Sequence, residues 1–463
     1  MVKYKLNKEQ PLTPDIIKRL IEKHKMSQVP KYELMDKYYH NENKILSHFN
    51  YRYDTNGNAI VDDTKPNNKV SHPYANYITD TLTGYFMGEG ITYSSLDEQV
   101  LDELNMVLEY NDAADEDTEL AKDMSIFGLG VELQYVDEDG NVRFKRLDPR
   151  EVVLVYDDTL EEDLLYAVRY FPSEDILTDK ITMNVEVYGA KDIKYYTASK
   201  DLGSFTYIGE TPHFFELCPV SVFCNNEEEI GDFENVITLI DAYDSLESDS
   251  MNDFEYFVDA YLCLTGLAAD SDDIAAMKSN RVLLLDSDSD AKWLTKDSSN
   301  TNVENMKDRL DADIHKFAKV PDMSDEAFAG NASGVAIKYK TMPMENVVAI
   351  KERKFKKGIQ RRIELIFNIL NIKGEGHDWR AIDMTFTRNL PTNDTEIAQM
   401  VSTLSGIVSN ETLLAQIPFV DDVQTEQEKV DEEKESNPFY DTRLGLAGEE
   451  EENERETQNK TEK

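Results

Sequence analysis

Residues 329–362 read AGNASGVAIKYKTMPMENVVAIKERKFKKGIQRR, a run of small residues followed by Pro343 and then by the densest basic stretch of the chain. Glycine allows close backbone approach and proline breaks a preceding helix, so the first part predicts a flexible joint over residues 329–348. The second part predicts a long helix from about Met344 to Leu370, which carries seven Lys and Arg side chains between residues 351 and 362. A joint and a basic helix therefore form the centre of the predicted architecture.

The basic helix stands out because the chain as a whole is strongly acidic. Its 463 residues include 49 Lys and Arg against 92 Asp and Glu, a formal net charge of −43. With 40% apolar residues, 24 Tyr and 19 Phe, the composition is that of a folded protein. Such a charge argues against adsorption onto nucleic acid, whereas nucleic acid held inside a ring would slide past a repelling wall. From the charge alone, an acidic surface that only maintains solubility is the favoured explanation.

The cysteines and apolar runs indicate the compartment. Cys218, Cys224 and Cys263 are too few for a disulfide framework or a four-ligand zinc site, and buried thiols are their expected role. No apolar run reaches the length of a membrane span, and the first ten residues contain no secretory apolar region. We expect a protein of a reducing cytoplasm with no membrane partner.

Sequence motifs of enzyme chemistry are missing, since the chain contains no GxxxxGK[ST], GxGxxG, HExxH or GxSxG pattern. The stretch DSDSDAKWLTKD places Asp286, Asp288, Asp290 and Asp297 at positions 1, 3, 5 and 12 of a calcium loop. Ala291 stands where the loop turn needs glycine, so a solvated acidic turn is favoured over a metal site. We therefore expect no cofactor, no metal and no catalytic residue.

The N-terminal half mixes helices with hairpins. PLTPDIIKRLIEKHK predicts a helix with Thr13 as its cap and Pro14 in its first turn. YDTNGNAIV and VELQYVDEDGNVRFKRL place Asn-Gly and Asp-Gly between alternating residues, which predicts two hairpins. VEVYGAKDIKYYTA and SFTYIGETPHFF predict further strands, so this half is α+β and ends near Gly231.

The middle of the chain predicts a rod with a small tip. Apolar residues recur at steps of three and four over residues 232–265 without Pro or Gly, which predicts one helix of about 45–50 Å. Strands RVLLL and AKWLT follow around the acidic turn, and a second helix begins at Thr301, where Glu304 completes a capping box. This helix has one apolar stripe, formed by Val303, Met306, Leu310, Ile314 and Phe317.

The C-terminal part predicts a strand and short helices. AIDMTFTRNL predicts the strand, and NDTEIAQMVSTLSGIV and NETLLAQI predict the helices. Beyond about Asn437 the composition is rich in Glu, Lys and Asn and poor in apolar residues, which predicts a disordered acidic tail. The whole chain is therefore predicted to be α+β and predominantly helical.

The order of these elements, together with several phrases, resembles the portal proteins of tailed bacteriophages, in particular the siphophage family with a Bacillus phage prototype. The first sixty and last forty residues take no part in the resemblance. The matching stretches are NNKVSHPYANYITDTLTGYFMGEGITY (67–93), AKDMSIFGLGVELQYVDEDGNVRFKRLDPREVVLVYDDT (121–159), GDFENVITLIDAYDSLESDSMNDFEYFVDAYLCLTG (231–266), NASGVAIKYK (331–340) and FTRNLPTNDTEIAQM (386–400).

The resemblance implies a ring, usually of twelve subunits, at one vertex of the capsid. It also implies a portal fold with an α+β wing, a two-helix stem, a small β-containing clip, a tunnel loop before a long helix, and a helical crown. Carried onto this chain, the regions are the wing (1–231), the stem helices (232–265 and 301–320), the clip (266–300), the tunnel loop and long helix (321–375), the crown (376–436) and the acidic tail (437–463).

For a portal protein, the implied function is a channel for DNA packaging and ejection. The ring would also be the docking platform for the terminase large subunit and then for head–tail connector or adaptor proteins. Double-stranded DNA would pass through the homo-oligomer, and the major capsid and scaffolding proteins would be further partners. The implied location is the virion, at the portal vertex, after assembly in the host bacterial cytoplasm.

Three groups of residues are candidate sites. The tunnel loop, next to the DNA channel, is assigned to Thr341, Met342, Pro343, Met344, Glu345, Asn346, Val347 and Val348. The basic face of the long helix is assigned to Lys351, Arg353, Lys354, Lys357 and Arg361. The clip face toward terminase or connector is assigned to Asp286, Asp288, Asp290, Lys292 and Trp293. The basic face has three open roles: pairing with acidic neighbouring subunits, which the net charge favours, contact with DNA phosphates, or a solvated surface.

Two other functions fit parts of the sequence. A DNA-packaging enzyme, such as a nuclease, is disfavoured by the missing ATP motif and by the lack of a spaced set of carboxylates. A monomeric acidic scaffold or nucleic-acid mimic would also carry a large negative charge. The mass of the particle in solution separates that alternative from a ring.

Overall fold

The structure is a computed structural model of the chain, in which helix (49%) predominates over strand (22%), in agreement with the predicted α+β class. It divides into two compact units, one formed by residues 1–330 with 338–389 and the other by residues 331–337 with 390–463. The described residues are 3–258, 261–265, 290–294, 301–324, 334–374, 376–389, 394–417, 420 and 423–436.

The helices that lie wholly or mostly in the first unit are α1 (Pro14–Ser27), α2 (Val29–Tyr39), α3 (Tyr74–Met87), α4 (Glu98–Tyr110), α5 (Ala113–Phe127), α6 (Ile237–Val258), α7 (Thr301–Ala318) and α8 (Gly334–Lys373). The helices of the second unit are α9 (Asp394–Leu404), α10 (Asn410–Leu414) and α11 (Val423–Ser436). Short 3-10 turns occur at Lys44–Ser47, Pro149–Glu151, Glu234–Val236 and Trp379–Ala381.

The strands are β1 (Tyr4–Leu6), β2 (Tyr51–Tyr53), β3 (Ala59–Val61), β4 (Ile91–Ser94), β5 (Leu129–Val136), β6 (Val142–Leu147), β7 (Val152–Asp157), β8 (Leu164–Asp175), β9 (Lys180–Tyr188), β10 (Asp192–Ala198), β11 (Phe205–Pro212), β12 (Val220–Cys224), β13 (Tyr261–Thr265), β14 (Asp290–Leu294) and β15 (Asp383–Phe386). The largest sheet has the order β1-β7-β8-β9-β10-β11, and a second has the order β12-β5-β6. The two-stranded pairs are β2–β3, β4–β15 and β13–β14.

Helix α1 covers the six-stranded sheet. As predicted, Thr13 caps the helix, because its side chain accepts a hydrogen bond from a first-turn N–H. Ile17 and Ile21 are four residues apart and share one face, and both are fully buried in a core with Val168 of β8 and Val185 of β9. This core fixes the N-terminal helix on the sheet.

Both predicted hairpins are present. The β2–β3 turn contains Gly57 and the β5–β6 turn contains Gly140, with φ of 84° and 85°. Glycine adopts this left-handed backbone without strain, which is why Asn-Gly and Asp-Gly predicted the turns. The other two predicted strand regions correspond to β9, β10 and β11.

The predicted helix over residues 232–265 is shorter in the structure. Helix α6 ends at Val258, and residues 261–265 form β13 instead. At about 1.5 Å per residue, α6 spans about 33 Å rather than about 45–50 Å. The sequence YLCLT is a short apolar run, which helical spacing cannot distinguish from a strand, and it pairs here with β14.

The described part of the predicted tip is a two-stranded ladder. The predicted strand AKWLT corresponds to β14, which spans Asp290–Leu294. Its partner is β13, whose residues were predicted as the end of the stem helix. The predicted partner RVLLL lies outside the described residues.

Helix α7 begins at Thr301, as predicted, and packs beside α6. Lys307 of α7 forms an ion pair with Glu247 of α6 at 3.1 Å. Ile314 of the predicted apolar stripe is fully buried, but Met306 and Phe317 are largely exposed. The stripe is therefore only partly buried within one subunit.

Helix α8 continues through Pro343, so the predictions that this proline breaks a preceding helix and that residues 341–348 form a loop are wrong. A proline inside a helix costs about 3 kcal/mol, because it removes one backbone donor and crowds the preceding turn. Thr341, Met344 and Val348 are buried, while Pro343 lies on the exposed side. The burial of these side chains offsets the cost of the proline. The small residues of the predicted joint, 329–333, lie outside the described residues.

The first compact unit extends to residue 389, past the boundary predicted at residue 376. Strand β15, predicted as part of the crown, pairs antiparallel with β4 of the first unit. The N–H of Asn389 then donates to the carbonyl of Tyr85 at 3.3 Å. In the second unit, α9 and α10 correspond to the two predicted C-terminal helices. The predicted tail, 437–463, lies outside the described residues.

Candidate functional site: the cations of helix α8

Lys351 lies inside the subunit. Its side chain is 1% exposed, and its Nζ is 2.5 Å from Oδ2 of Asp232, just before α6 begins. Removal of either partner would leave a buried charge uncompensated, so the pair is a structural link between α8 and the start of α6. The prediction that Lys351 faces a neighbouring subunit or DNA is therefore wrong.

Arg362 is fully buried where α8 packs against α5 and the three-stranded sheet. Its Nε and Nη2 donate to the two carboxylate oxygens of Glu132 at 2.9 and 2.6 Å, and Nη2 lies 2.7 Å from Oδ1 of Asp117. The guanidinium also lies over the rings of Phe144 and Phe223, 4.4 and 5.6 Å from their centres. Ionic and aromatic contacts together fix α8 against α5 and the three-stranded sheet.

Two buried carboxylates share this one guanidinium. Burial raises the pKa of Glu132 and of Asp117 above their ordinary values, and the positive charge of Arg362 opposes that rise. Burial would lower the pKa of Arg362, but the two carboxylates outweigh it and the pKa is raised. The guanidinium is thus held as a cation inside the protein and is not available to bind an external anion.

The predicted basic face omits Arg362, although the sequence contains a signal for its burial. Residues at steps of three and four along a helix lie on one side of it. Val348, Lys351, Phe355, Ile359 and Arg362 follow one another at these steps. Lys351 and Arg362 therefore both lie on the apolar stripe of α8. The prediction of a basic face considered the charge of the side chains and not this spacing, so it missed their burial.

Helix α8 also approaches strand β12 closely. At Gly358, an added Cβ atom would lie 2.4 Å from Cδ1 of Phe223, closer than real Cβ contacts. Only glycine allows this approach, even though glycine lowers helix stability. The close approach brings the basic part of α8 onto the three-stranded sheet.

Lys354 and Arg361 also have partners within the subunit. Lys354 Nζ contacts Oε2 of Glu227. Arg361 donates from Nη1 to Oε2 of Glu364 at 3.0 Å and from Nη2 to the carbonyl of Cys218 at 3.2 Å. The pairing predicted with neighbouring subunits is thus found inside the same subunit for these two cations.

Arg353 and Lys357 are the members of the predicted basic face that are exposed to solvent. They are four residues apart and share one face of α8. Among the described residues, neither side chain comes within ion-pair distance of a carboxylate. These two positive charges are the most exposed members of the predicted basic face.

The predicted tunnel-loop residues are anchored along α8. Glu345 accepts a hydrogen bond from the hydroxyl of Tyr85 at 2.7 Å and another from Nε of Arg388 at 3.1 Å. Nη2 of Arg388 also binds Glu352 at 2.5 Å. This cluster joins α8 to α3 and to the segment after β15, so the side of α8 that carries Glu345 is packed against these neighbouring elements of the first unit.

The opposite side of the same helical segment is open to solvent. Met342 is 52% exposed. Pro343 and Asn346 are also exposed, and Val347 is half-buried. The sequence predicted one tunnel loop for all eight residues, with a tip formed by Met342, Met344, Val347 and Val348, whereas the structure divides them between a packed and a solvent side.

The clip residues are only partly described. Strand β14 carries Asp290, Lys292 and Trp293, in register with Thr265, Cys263 and Leu262 of β13. Asp286, Asp288 and Asp297, which complete the acidic calcium-loop pattern, lie outside the described residues.

A group of possible metal ligands in the described chain is formed by Asp311, His315 and Asp322, whose ligand atoms lie within 4.8 Å of one another. His315 Nδ1 donates to the carbonyl of Val320 at 3.1 Å, and Asp311 accepts from the hydroxyl of Tyr74 at 2.5 Å. These hydrogen bonds account for the positions of the side chains, and we assign no metal to the group.

Comparison with known proteins identifies the family. The sequence profile described as phage portal protein, SPP1 Gp6-like, matches residues 18–438. The portal protein of Bacillus phage SPP1 is 28% identical over 436 residues, which cover 90% of this chain and 86% of that protein. The portal protein of Clostridium phage phiCD119 is 24% identical over 428 residues, which cover 86% of this chain and 91% of that protein. Among the described helices, none combines the length and apolarity that a membrane crossing needs. The chain belongs to the SPP1 Gp6-like family of phage portal proteins.

Proposed function

We propose that the chain forms a closed ring at one vertex of a phage capsid. The ring is the channel for DNA packaging and ejection, and the docking platform for the terminase motor and then for head–tail connector proteins. Family membership over residues 18–438 carries this proposal. Phage portal proteins are virion components of a generally structural kind, associated with the capsid as oligomeric rings.

The charge distribution supports a channel through which DNA moves without being gripped. At −43 per subunit, most of the surface repels phosphate. Arg353 and Lys357 are a small exposed positive site within that field. We assign them first to pairing with an acidic neighbouring subunit and second to DNA phosphates, because ring closure brings many negative surfaces together.

The channel contact is assigned to the solvent side of α8 near its proline. Met342, Pro343 and Asn346 are exposed and carry no charge. Such a surface can touch the DNA backbone without forming ion pairs, which keeps the contact weak during translocation. The packed side of the segment holds this surface in place through Glu345 and Arg388.

The partners follow from the regions that the family resemblance implies. The clip, with Asp290, Lys292 and Trp293 on β14, receives the terminase large subunit during packaging and a connector protein afterwards. The wing and crown face the major capsid and scaffolding proteins. We place ring assembly in the host cytoplasm and the finished ring in the virion.

The mass of the purified chain tests the proposal directly. Size-exclusion chromatography with light scattering should give a ring, usually of twelve subunits, and negative-stain images should show a central channel. A particle with the 53.1 kDa mass of one chain would instead favour the acidic scaffold or nucleic-acid mimic.

A second measurement separates the portal from a packaging enzyme. The purified chain should hydrolyse neither ATP nor DNA, because packaging power is supplied by the docked terminase. ATP hydrolysis that a single substitution in this chain abolishes would overturn that part of the proposal.

A further inference from the structure

The segment between α2 and α3 is fixed along helix α6 near both of its ends. Nδ2 of Asn43 donates to Oδ2 of Asp244 at 2.6 Å, and the N–H of His72 donates to Oδ1 of the same carboxylate at 3.0 Å. The N–H of Val70 donates to Oγ of Ser248 at 2.9 Å. Asp244 is fully buried, so these bonds are shielded from water and hold the two ends of the segment firmly.

Further hydrogen bonds close the segment on itself below the β2–β3 hairpin. Nζ of Lys69 donates to the carbonyl of Leu46 at 2.8 Å, and Nδ2 of Asn50 donates to the carbonyl of Pro66 at 3.0 Å. The hairpin therefore stands on a fixed base. We call residues 51–61 the arm.

One face of the arm carries no charged side chain. Tyr51 pairs with Val61 and Tyr53 pairs with Ala59, so these four residues share that face. Tyr51 and Tyr53 are 61% and 79% exposed, and Val61 is 50% exposed. A two-stranded hairpin is only marginally stable alone in water, and a contiguous exposed apolar surface marks an interaction site.

The apolar surface continues from the arm onto its base. Leu46 and Phe49 are also exposed. A cavity of about 510 Å³ lies beside them, lined by Ile45, Phe49 and Tyr51 and, from α6, by Asp241 and Ser245. The arm, its base and this cavity form one continuous surface that is open in the single subunit.

The charge of this region is opposite to that of the chain. From residue 44 to residue 61 the cations are Lys44 and Arg52 and the sole anion is Asp54, whereas the whole chain carries −43. Two copies of so acidic a chain repel each other except where a positive or apolar surface meets an acidic one. The arm is such a surface, and its complement is another copy of this chain.

We propose that the arm of each subunit lies on the neighbouring subunit of the ring, with its apolar face covered by that second copy. This inference rests on the proposed ring. In a closed ring each subunit gives one arm and receives one, so every arm is covered and none is left at an end. In this arrangement Arg52 contacts an acidic part of the neighbouring subunit. Because the base of the arm is hydrogen-bonded to α6, the position of the neighbouring subunit also affects the position of α6.

Ring assembly of the double variant Tyr51→Ser with Tyr53→Ser tests the inference. Both tyrosines are exposed within the subunit, so the circular dichroism spectrum should not change, whereas association at each interface should weaken by about tenfold or more. The matched control is Ile176→Ser with Leu177→Ser, which removes two apolar side chains, more exposed than the two tyrosines, from the β8–β9 turn. The control should form wild-type rings, and the arm variant should shift toward monomers in light scattering.

Photocrosslinking identifies what covers the arm. With Tyr53 replaced by p-benzoylphenylalanine, irradiation of purified rings should give covalent dimers and higher multimers of this chain. Rings of unchanged stability in the arm variant, or rings whose arm gives no crosslink between copies, would overturn the inference and leave the proposed function intact. A wild-type chain that stays monomeric would overturn the proposed function and this inference together.

Discussion

Two contrasting pairs of cations lie within twelve residues of helix α8. Lys351 and Arg362 are buried, with carboxylate oxygens at 2.5 and 2.6 Å, and they hold the subunit together. Arg353 and Lys357 are exposed and have no ion-pair partner in the described chain. The difference is position on the helix, because the first pair lies on the apolar stripe and the second pair lies off it. Residue type therefore does not decide whether a cation serves the fold or an outside partner.

The substitution Arg362→Met should give the largest effect. It leaves Glu132 and Asp117 buried without their cation, which should lower the free energy of unfolding by about 5 kcal/mol. Urea unfolding followed by circular dichroism measures the change. Arg353→Met is the matched control and should stay within about 0.5 kcal/mol of the wild type. Equal losses in the two variants would remove the distinction between the two kinds of cation.

Lys351→Met should have the next largest effect, about 3 kcal/mol, because it strands one buried carboxylate rather than two. Adding Asp232→Asn should restore part of the loss, since the remaining group is then uncharged. A double-mutant cycle of the unfolding free energies measures this coupling. Strictly additive losses would show that the two side chains do not act as a pair.

His24 sharpens the comparison, because it is a buried basic side chain that is hydrogen-bonded to a hydroxyl group rather than to a carboxylate. It is fully buried, Nδ1 lies 2.7 Å from the hydroxyl of Tyr170, and burial lowers its pKa to about 4. The unfolded chain takes up this proton near pH 6.5 and the folded chain only near pH 4, so stability falls as pH drops between these values. The loss is about 3 kcal/mol at most.

The variant His24→Gln isolates this effect, because glutamine cannot titrate and can still bond Tyr170. Urea unfolding at pH 7, 5.5 and 4.5 should show a steeper loss in the wild type than in the variant. Parallel pH curves would mean that His24 binds its proton at the same pH in the folded and the unfolded chain, and burial without a carboxylate would then not lower the pKa of this basic group.

The double variant Arg353→Glu with Lys357→Glu should have the smallest effect per subunit. Exposed pairs contribute about 0–1 kcal/mol each, but a ring repeats them at every interface. Rings should weaken most at low salt, where like charges are least screened, as light scattering over a salt series would show. Lys180→Glu with Lys200→Glu is the control with the same change of charge. Normal rings at low salt that fail only in packaging would assign these cations to DNA instead.

Local signals in the sequence predicted much of the fold. Thr13 and Pro14 defined the start of α1, and the turns at Gly57 and Gly140 defined two hairpins, because each depends on a few adjacent residues. The end of α6 at Val258 was not predictable in this way. A short apolar run fits helix and strand alike until its partner strand is known.

The candidate site was predicted less well, because its residues depend on distant neighbours. Pro343 predicted a break, but burial of Met344 and Val348 keeps the helix intact. Lys351 and Arg362 lie among apolar residues at helical spacing, yet their carboxylate partners are far away in the chain. The side of α8 that is buried could be predicted from the spacing of its apolar residues. The carboxylates that compensate its buried cations could not be predicted, because they lie far away in the chain.

The long-range contacts of α8 and β15 determine when the first unit can fold. Arg362 and Glu132 are separated by 230 residues, and β15 must return to pair with β4. Contacts between such distant residues form slowly, because a long loop has to close before they contribute any stability. On the ribosome, the first unit therefore stays incomplete until residue 389 has emerged. Until Arg362 has been synthesised and packed, the carboxylates of Glu132 in β5 and Asp117 in α5 have no cationic partner. The nascent chain therefore passes through a stage in which these central acids are unpaired.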